Sequence, residues 1–228
     1  MNKPLNIGHR GAKAYEPENT LISFQKALEL NANGIELDVH VCKSGELIVL
    51  HDFTVDRTTN GTGAVSDLTL TELKKLRING TIEIPTLDEV LALCNKSHFI
   101  NIELKGTHTA QLVCDCIERN RKQNNFDYSN FIISSFQREE LAMVAQYNSK
   151  IPIGVLTQAS VEQSLEWADE FRAKAIHPHF SLLTTENVAL TRQKSYQIYT
   201  WTVNELEDIQ RVKQLGVNGI ITDFPDRI

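Results

Sequence analysis

Apolar and polar residues alternate without a break through Gly34-Ile35-Glu36-Leu37-Asp38-Val39-His40. A period of two predicts a β-strand with Ile35, Leu37 and Val39 on one face and Glu36, Asp38 and His40 on the other. The stretch Asn101-Ile102-Glu103-Leu104-Lys105 repeats the pattern. The branched aliphatic faces of both suit covering helices. If the two strands lie side by side in an enclosed sheet, the carboxylates of Glu36, Asp38 and Glu103 converge. Buried carboxylates are costly unless paired, and a hard cation bound through oxygens is their natural partner. Glu36 and Asp38 alone also fit a solvated sheet edge, but the third acid favours the metal.

The rest of the chain places these strands. A strand over 5–8 runs into His9-Arg10-Gly11. Pro17 and Asn19 announce a helix with Asn19 as the predicted N-cap, and Leu21, Phe24 and Leu28 mark one face of it. After the acidic strand over 34–41 come a turn at 43–46 and a short strand over 47–50, a hairpin or continuation that ends in His51-Asp52. Residues 53–85 break the rhythm. Thr69 with Glu72, and Thr86 with Glu89, fit capping boxes. The stretch is expected to form a small lobe or lid, followed by a return helix. Beyond it, strands over 99–105, 131–135, 153–156, 173–177, 197–203 and 219–222 alternate with helices over 109–122, 138–147, 161–170, 185–193 and 205–215. Eight principal strands with helices between them predict an α/β fold, a TIM (β/α)8 barrel with a small insertion after the second strand, rather than an open sheet. The expected unit is one domain over 1–228. No full helix follows Pro225, so the N-terminus or a partner copy is expected to complete the wall, and a homodimer would serve.

Composition narrows the classes. A chain of 228 residues with 41% hydrophobic content can bury a sizeable core. A formal charge of −6 argues against nucleic acid and anionic membranes as general partners, though not against a small anionic substrate. No apolar run reaches membrane-spanning length, and the polar start Met1-Asn2-Lys3-Pro4-Leu5-Asn6 has no leader-like apolar region, so neither membrane insertion nor secretion is expected. Cys114 and Cys116 face apart on a helix. With Cys42 and Cys94 they read as core thiols in a reducing cytoplasm.

Active sites of TIM barrels lie at the C-terminal ends of the strands, and the unusual polar residues of this chain fall there. His9 and Arg10 end the first strand, and His51 and Asp52 end the extension of the second. Lys105 follows Glu103, Ser134 and Ser135 close the fourth strand, and His177 and His179 close the sixth. Thr200-Trp201-Thr202-Val203-Asn204 runs along the seventh, and Thr222-Asp223 ends the last. His98 and His108 read as ordinary satisfied polar residues. His40 shares the acidic face and either ligates or orients. Lys105 either neutralises Glu103 or reaches a phosphate nearer the mouth, and Trp201 is either core or a substrate wall.

The ordered set His9-Arg10-Gly11, Pro17-Glu18-Asn19-Thr20, Glu36-x-Asp38, His51-Asp52, Glu103-x-Lys105, Trp201-Thr202-Val203-Asn204 and Thr222-Asp223-x-Pro225 resembles the glycerophosphodiester phosphodiesterase family across nearly the whole chain. The resemblance implies a TIM barrel with an insertion that 53–85 would supply. It also implies metal binding by Glu36, Asp38 and Glu103, acid–base catalysis by His9 and His51, and phosphate contacts from Arg10 and Lys105. The residue types suit that chemistry. One divalent cation, Mg²⁺ or Ca²⁺, fits three carboxylates, paired imidazoles exchange protons near neutrality, and Arg10 and Lys105 can offset phosphoryl charge. The implied partner is a small glycerophosphodiester, cleaved to glycerol 3-phosphate and an alcohol. Two rivals remain open. One is a phospholipase D-like or phosphoinositide-cleaving lipid phosphodiesterase on the same barrel, which an apolar patch at the mouth would favour. The other is a non-catalytic barrel binder, which has no need of the full set of histidines and acids.

Overall fold

The structure is a computed structural model and describes residues 3–228. Met1 and Asn2, on which the reading of the polar start partly rests, lie outside the described residues. The chain runs β1 (Leu5–His9), α1 (Leu21–Glu29), β2 (Gly34–Val41), β3 (Leu47–Val49), α2 (Leu70–Leu73), α3 (Leu87–Leu93), β4 (Phe99–Leu104) and α4 (Ala110–Asn124). It continues β5 (Phe131–Ser135), α5 (Arg138–Tyr147), β6 (Ile153–Thr157), α6 (Val161–Phe171), β7 (Ala175–Pro178), α7 (Thr185–Gln193), β8 (Gln197–Thr200), α8 (Leu206–Leu215) and β9 (Gly219–Thr222). All strands but β3 pair in parallel. The β1–β2 pairing closes the ring, which makes an eight-stranded TIM barrel. The short β3 lies antiparallel on the upper end of β2, as a hairpin.

Side chains facing out from the strands meet the helices. Ile35, Leu37 and Val39 of β2 share the main core with Phe24 and Ala27 of α1 and Val90 and Leu91 of α3, all fully buried. Each such side chain contributes about 1.5–3 kcal/mol of hydrophobic stabilisation. The inward faces carry the polar residues. Register sets their level: His9 pairs beside Glu36, and Asp38 pairs beside Glu103. The two acidic strands are therefore direct neighbours.

Residues 53–85 hold little regular structure, a turn of 3₁₀ helix at Val65–Asp67 and the single turn α2. They are nonetheless packed. Val55, Val65, Leu73, Ile78 and Ile84 bury a second small core against Cys42, Ile48 and Leu50. Both predicted capping boxes are present, at Thr69 with Glu72 and at Thr86 with Glu89.

Three local expectations need correction. The N-cap of α1 is Thr20, whose hydroxyl accepts from the Ser23 amide; Asn19 sits outside the helix at φ +57°. The strand expected over 197–203 stops at Thr200, and Trp201 continues it only through a lone bridge to His179. The strand expected from 173 starts at Ala175. After β9 the chain makes a short turn, Pro225–Arg227, tied to β1 where Asn6 Nδ2 donates to the Pro225 carbonyl at 2.7 Å. All four cysteines are unpaired and buried, as expected for core thiols.

Gly34 starts β2 where β4 comes closest. A Cβ there would lie 1.9 Å from the Phe99 carbonyl oxygen. Gly34→Ala is expected to push β4 away and to cost about 1–3 kcal/mol of stability, the usual range for overpacking. Urea unfolding of the variant tests this, and a wild-type midpoint would contradict it.

Candidate active site

The barrel mouth opens into a cavity of about 360 Å³ lined by His9, Arg10, Glu36, His51, Asn101, Glu103, Lys105, Phe136, Leu156, Gln158, Trp201 and Ile221. Seven of the eight residues singled out from the sequence line it. The eighth, Asp38, is 1% exposed and forms the acidic cluster beneath. Glu36, Asp38 and Glu103 each bring a carboxylate oxygen to within 4.8 Å of the others.

Their surroundings distribute charge unevenly. Arg10 sits in the left-handed region at φ +49°, followed by Gly11 at +86°. This turn aims the Arg10 amide at Glu36 Oε2, at 2.9 Å, and brings its Nε to 3.3 Å from Asp38 Oδ2. Non-glycine residues pay for this conformation, and it concentrates at functional sites. Lys105 Nζ donates to Glu103 Oε1 at 2.6 Å and lies 3.7 Å from Asp38 Oδ1. Asn19, displaced from its predicted capping role, donates its amide to Asp38 Oδ2 at 2.8 Å. Two cations and these donors still leave the cluster short of compensation. Burial, then Asp38 and Glu103, raise the Glu36 carboxyl well above its usual range. Burial and Asp38 push Glu103 up to about 7 against the pull of Lys105. Burial favours a neutral amine at Lys105, yet Glu103 and Asp38 hold its ammonium above the ordinary value.

The histidines have a different environment. His9 Nδ1 lies 2.6 Å from Asp223 Oδ1, and Asn204 Nδ2 holds the other oxygen of Asp223 at 2.8 Å. His51 Nδ1 lies 2.7 Å from Asp52 Oδ1, and Arg57 binds both oxygens of Asp52. A carboxylate against Nδ1 fixes the tautomer with its hydrogen there and leaves Nε2 as the free acceptor. Burial lowers the affinity of both rings for a second proton, more than the carboxylates raise it.

Other candidates fall elsewhere. His40 points its Nε2 at the His51 carbonyl at 3.2 Å and stacks edgewise on Phe53, outside the three-acid group. His98 Nδ1 accepts from the Asn95 amide and His108 is exposed. Trp201 is a wall. Its indole donates to the His177 carbonyl at 2.7 Å, and its ring meets Phe136 edge to face at 5.5 Å. His177 itself is fully buried in the barrel with neither ring nitrogen hydrogen-bonded, and burial pushes it down to about 3, so it stays neutral. The roles of Glu18, Asn19, Asp52, Arg57, Asn204 and Asp223 do not follow from strand periodicity, since each acts from a loop.

The group's chemistry can be checked for a metal. Three oxygen donors converge, Asp38 Oδ1 is buried without a hydrogen-bond partner, and no Cys or His is among the converging atoms. That set fits a hard divalent cation and does not fit structural zinc. The site lies at the C-terminal mouth of a parallel barrel, where enzymes of the TIM-barrel class place their active sites. The glycerophosphoryl diester phosphodiesterase family model matches residues 9–227. A glycerophosphodiester phosphodiesterase of Caldanaerobacter subterraneus is 39% identical over 99% of this chain and 96% of its own. One of Bacillus altitudinis is 37% identical over 97% and 95%. The crystal structure of the glycerophosphodiester phosphodiesterase of Thermotoga maritima superposes with a TM-score of 0.81 at 29% identity, covering 99% of this chain and 97% of that one. The chain belongs to the glycerophosphoryl diester phosphodiesterase family, enzymes that hydrolyse glycerophosphodiesters and generally use a divalent metal. Among the described residues no helix is long and apolar enough to cross a membrane.

The raised carboxyls make a stability prediction for the metal-free protein. A folded-state pKa above the unfolded value gives stability that is complete below about pH 4.5 and lost as pH rises through the folded value, about 7 for Glu103. Buried His177, held down at about 3, acts in the opposite sense below its ordinary value of 6.5, so the carboxyl effect is read above that range: melting in excess chelator should fall as pH rises from about 7 to about 8. Glu36→Gln removes one of the crowded charges and should flatten that fall, by about 2–4 °C for each kcal/mol regained. A variant that melts below wild type at about pH 8 without metal would contradict this.

Proposed function

We propose that this enzyme hydrolyses glycerophosphodiesters to sn-glycerol 3-phosphate and an alcohol, with one divalent cation, Mg²⁺ or Ca²⁺, held by Glu36, Asp38 and Glu103. His9 and His51 act as the acid–base pair. The observation that carries the reading is the pairing itself. Two imidazoles, each with Nδ1 on its own carboxylate, line the same cavity as the acidic cluster. When bound, the cation offsets phosphoryl charge and polarises the phosphorus.

The chain's own groups supply the rest. Burial lowers the proton affinity of both rings, so a neutral imidazole is available near neutrality and its Nε2 can take a proton from the attacking hydroxyl. The other ring, protonated at Nε2, gives its proton to the leaving oxygen, and the carboxylate on its Nδ1 supports the positive charge while it is held. The attacking hydroxyl belongs to water or to the glycerol carbon beside the ester, and both routes need one base and one acid. Arg10 and Lys105, which rest on the carboxylates in this structure, lie in the cavity wall, where their charge opposes the charge that develops on the phosphoryl oxygens. Trp201 and Phe136 form an apolar wall that excludes water from one side. Residues 53–85 form a packed lobe that begins just after His51 and Asp52. Phe53, at the start of the lobe, is exposed and meets the His40 ring edge to face at 5.0 Å.

The test is release of glycerol 3-phosphate from several glycerophosphodiesters, with and without chelator. Chelation should abolish turnover and Mg²⁺ or Ca²⁺ should restore it. His9→Ala and His51→Ala should each cost roughly 10²–10⁴-fold in kcat, the usual worth of a positioned acid or base, while the stabilisation by metal survives. Full turnover by verified metal-free protein would refute the metal assignment.

A further inference from the structure

We propose that Arg57, carried by the inserted residues 53–85, is a positioning residue that sets the orientation of His51 and Arg10 together by gripping Asp52 and Glu18 at once. The proposal rests on the reading of His51 and Arg10 given above.

The geometry is that of one fork across two carboxylates. Arg57 Nε donates to Asp52 Oδ2 at 2.6 Å and its NH2 to Asp52 Oδ1 at 3.0 Å. The same NH2 donates to Glu18 Oε1 at 2.7 Å, and NH1 donates to Glu18 Oε2 at 3.2 Å. Each carboxylate has a second client inside the cavity. Asp52 Oδ1 accepts from His51 Nδ1 at 2.7 Å, and Glu18 Oε1 accepts from Arg10 NH1 at 2.9 Å. Glu18 lies in the loop before α1 and Asp52 at the head of the insertion, so no element of the barrel joins them except through this guanidinium. Only a planar group with donors on adjacent edges can serve both.

A half-exposed arginine normally contributes little to stability, and Arg57 is 50% exposed. Its partners are not ordinary surface acids. Burial opposes ionisation of Glu18, yet Arg57 and Arg10 hold its carboxyl down at about 2. The Asp52 carboxyl is held well below its usual range, by Arg57 first. Without Arg57, Asp52 keeps one hydrogen-bond partner among the described side chains, His51, and is free to turn toward water. The contrast with the other histidine is informative. Asp223, behind His9, is fixed by Asn204 from the neighbouring strand end of the barrel itself. The corresponding support for His51 comes from the lobe. The segment that carries Arg57 is anchored there: Val55 is fully buried in the second core, and Thr59 donates through both its amide and its hydroxyl to the Val55 carbonyl. Packing of the lobe thus reaches the acid–base pair through one side chain.

The test is steady-state kinetics of the metal-loaded enzyme on a glycerophosphodiester, with Arg57→Ala, Arg57→Lys and His51→Ala in parallel and thermal melting as control. Arg57→Ala should lower kcat by roughly 10- to 100-fold, the scale of a small misplacement of reacting groups, with KM within about twofold of wild type. Arg57→Lys keeps the charge without the fork and should recover only part of the loss. Should Arg57→Ala fail to fold, Arg57→Lys decides by the same split. Unchanged kcat with a lowered melting temperature would make Arg57 purely structural, a loss confined to KM would make it a substrate contact, and full recovery by Lys would make its charge sufficient. Any of these overturns the proposal. His51→Ala separates the two levels. If it retains wild-type turnover, the reading of the site has failed; if it is inactive while both Arg57 variants are normal, only this inference has.

Discussion

Three buried carboxylates within 4.8 Å of one another at the base of the barrel mouth are the constraint on which the rest of this structure turns. Like charges so close in a barrel interior are unfavourable, and burial makes them more so. The surrounding chain is arranged to tolerate them without quenching them. Arg10 is bent into a left-handed turn so that its amide and its guanidinium reach two different acids. Lys105 leans back two residues along its strand onto Glu103. Asn19 gives up the helix cap to Thr20 and spends its amide on Asp38. These contacts leave Glu36 and Glu103 with raised carboxyls, a deficit that a divalent cation is suited to fill.

Around this cluster the two histidines proposed to transfer protons are kept separate from the three proposed cation donors. His9 and His51 turn their Nδ1 atoms outward to Asp223 and Asp52 and not toward the acidic cluster. The two supports have different origins, one built into the end of the barrel and the other into the packed insertion. A common parallel barrel thereby gains an asymmetric mouth, polar and charged toward β1, β2 and β4, aromatic toward Trp201 and Phe136.

Much of this was legible in the residues. Strand alternation located Glu36, Asp38 and Glu103, and the count of repeating units gave the barrel. Register then brought Asp38 beside Glu103, as adjacency of the two strands required. What periodicity does not carry is contact between loops distant in sequence. His9 and Asp223 are 214 residues apart, and Arg57 meets Glu18 across 39. Asn19 shows the limit at short range. Its position before a helix suits a cap, and only the presence of a buried acid across the barrel mouth explains why the next residue caps instead. Past Thr200 the β7–β8 ladder is reduced to the single Trp201–His179 bridge, and the Trp201 indole donates to the His177 carbonyl, contacts that residue alternation does not encode.

The central claim is a division of labour, in which carboxylates hold the cation and histidines stay free to move protons. Anomalous diffraction from crystals soaked in Mn²⁺ reports on it directly. The account predicts one dominant peak at about 2.0–2.6 Å from an oxygen each of Glu36, Asp38 and Glu103, with both imidazoles outside the coordination shell. No peak at the cluster, or one ligated by His9 or His51 through Nε2, would contradict it.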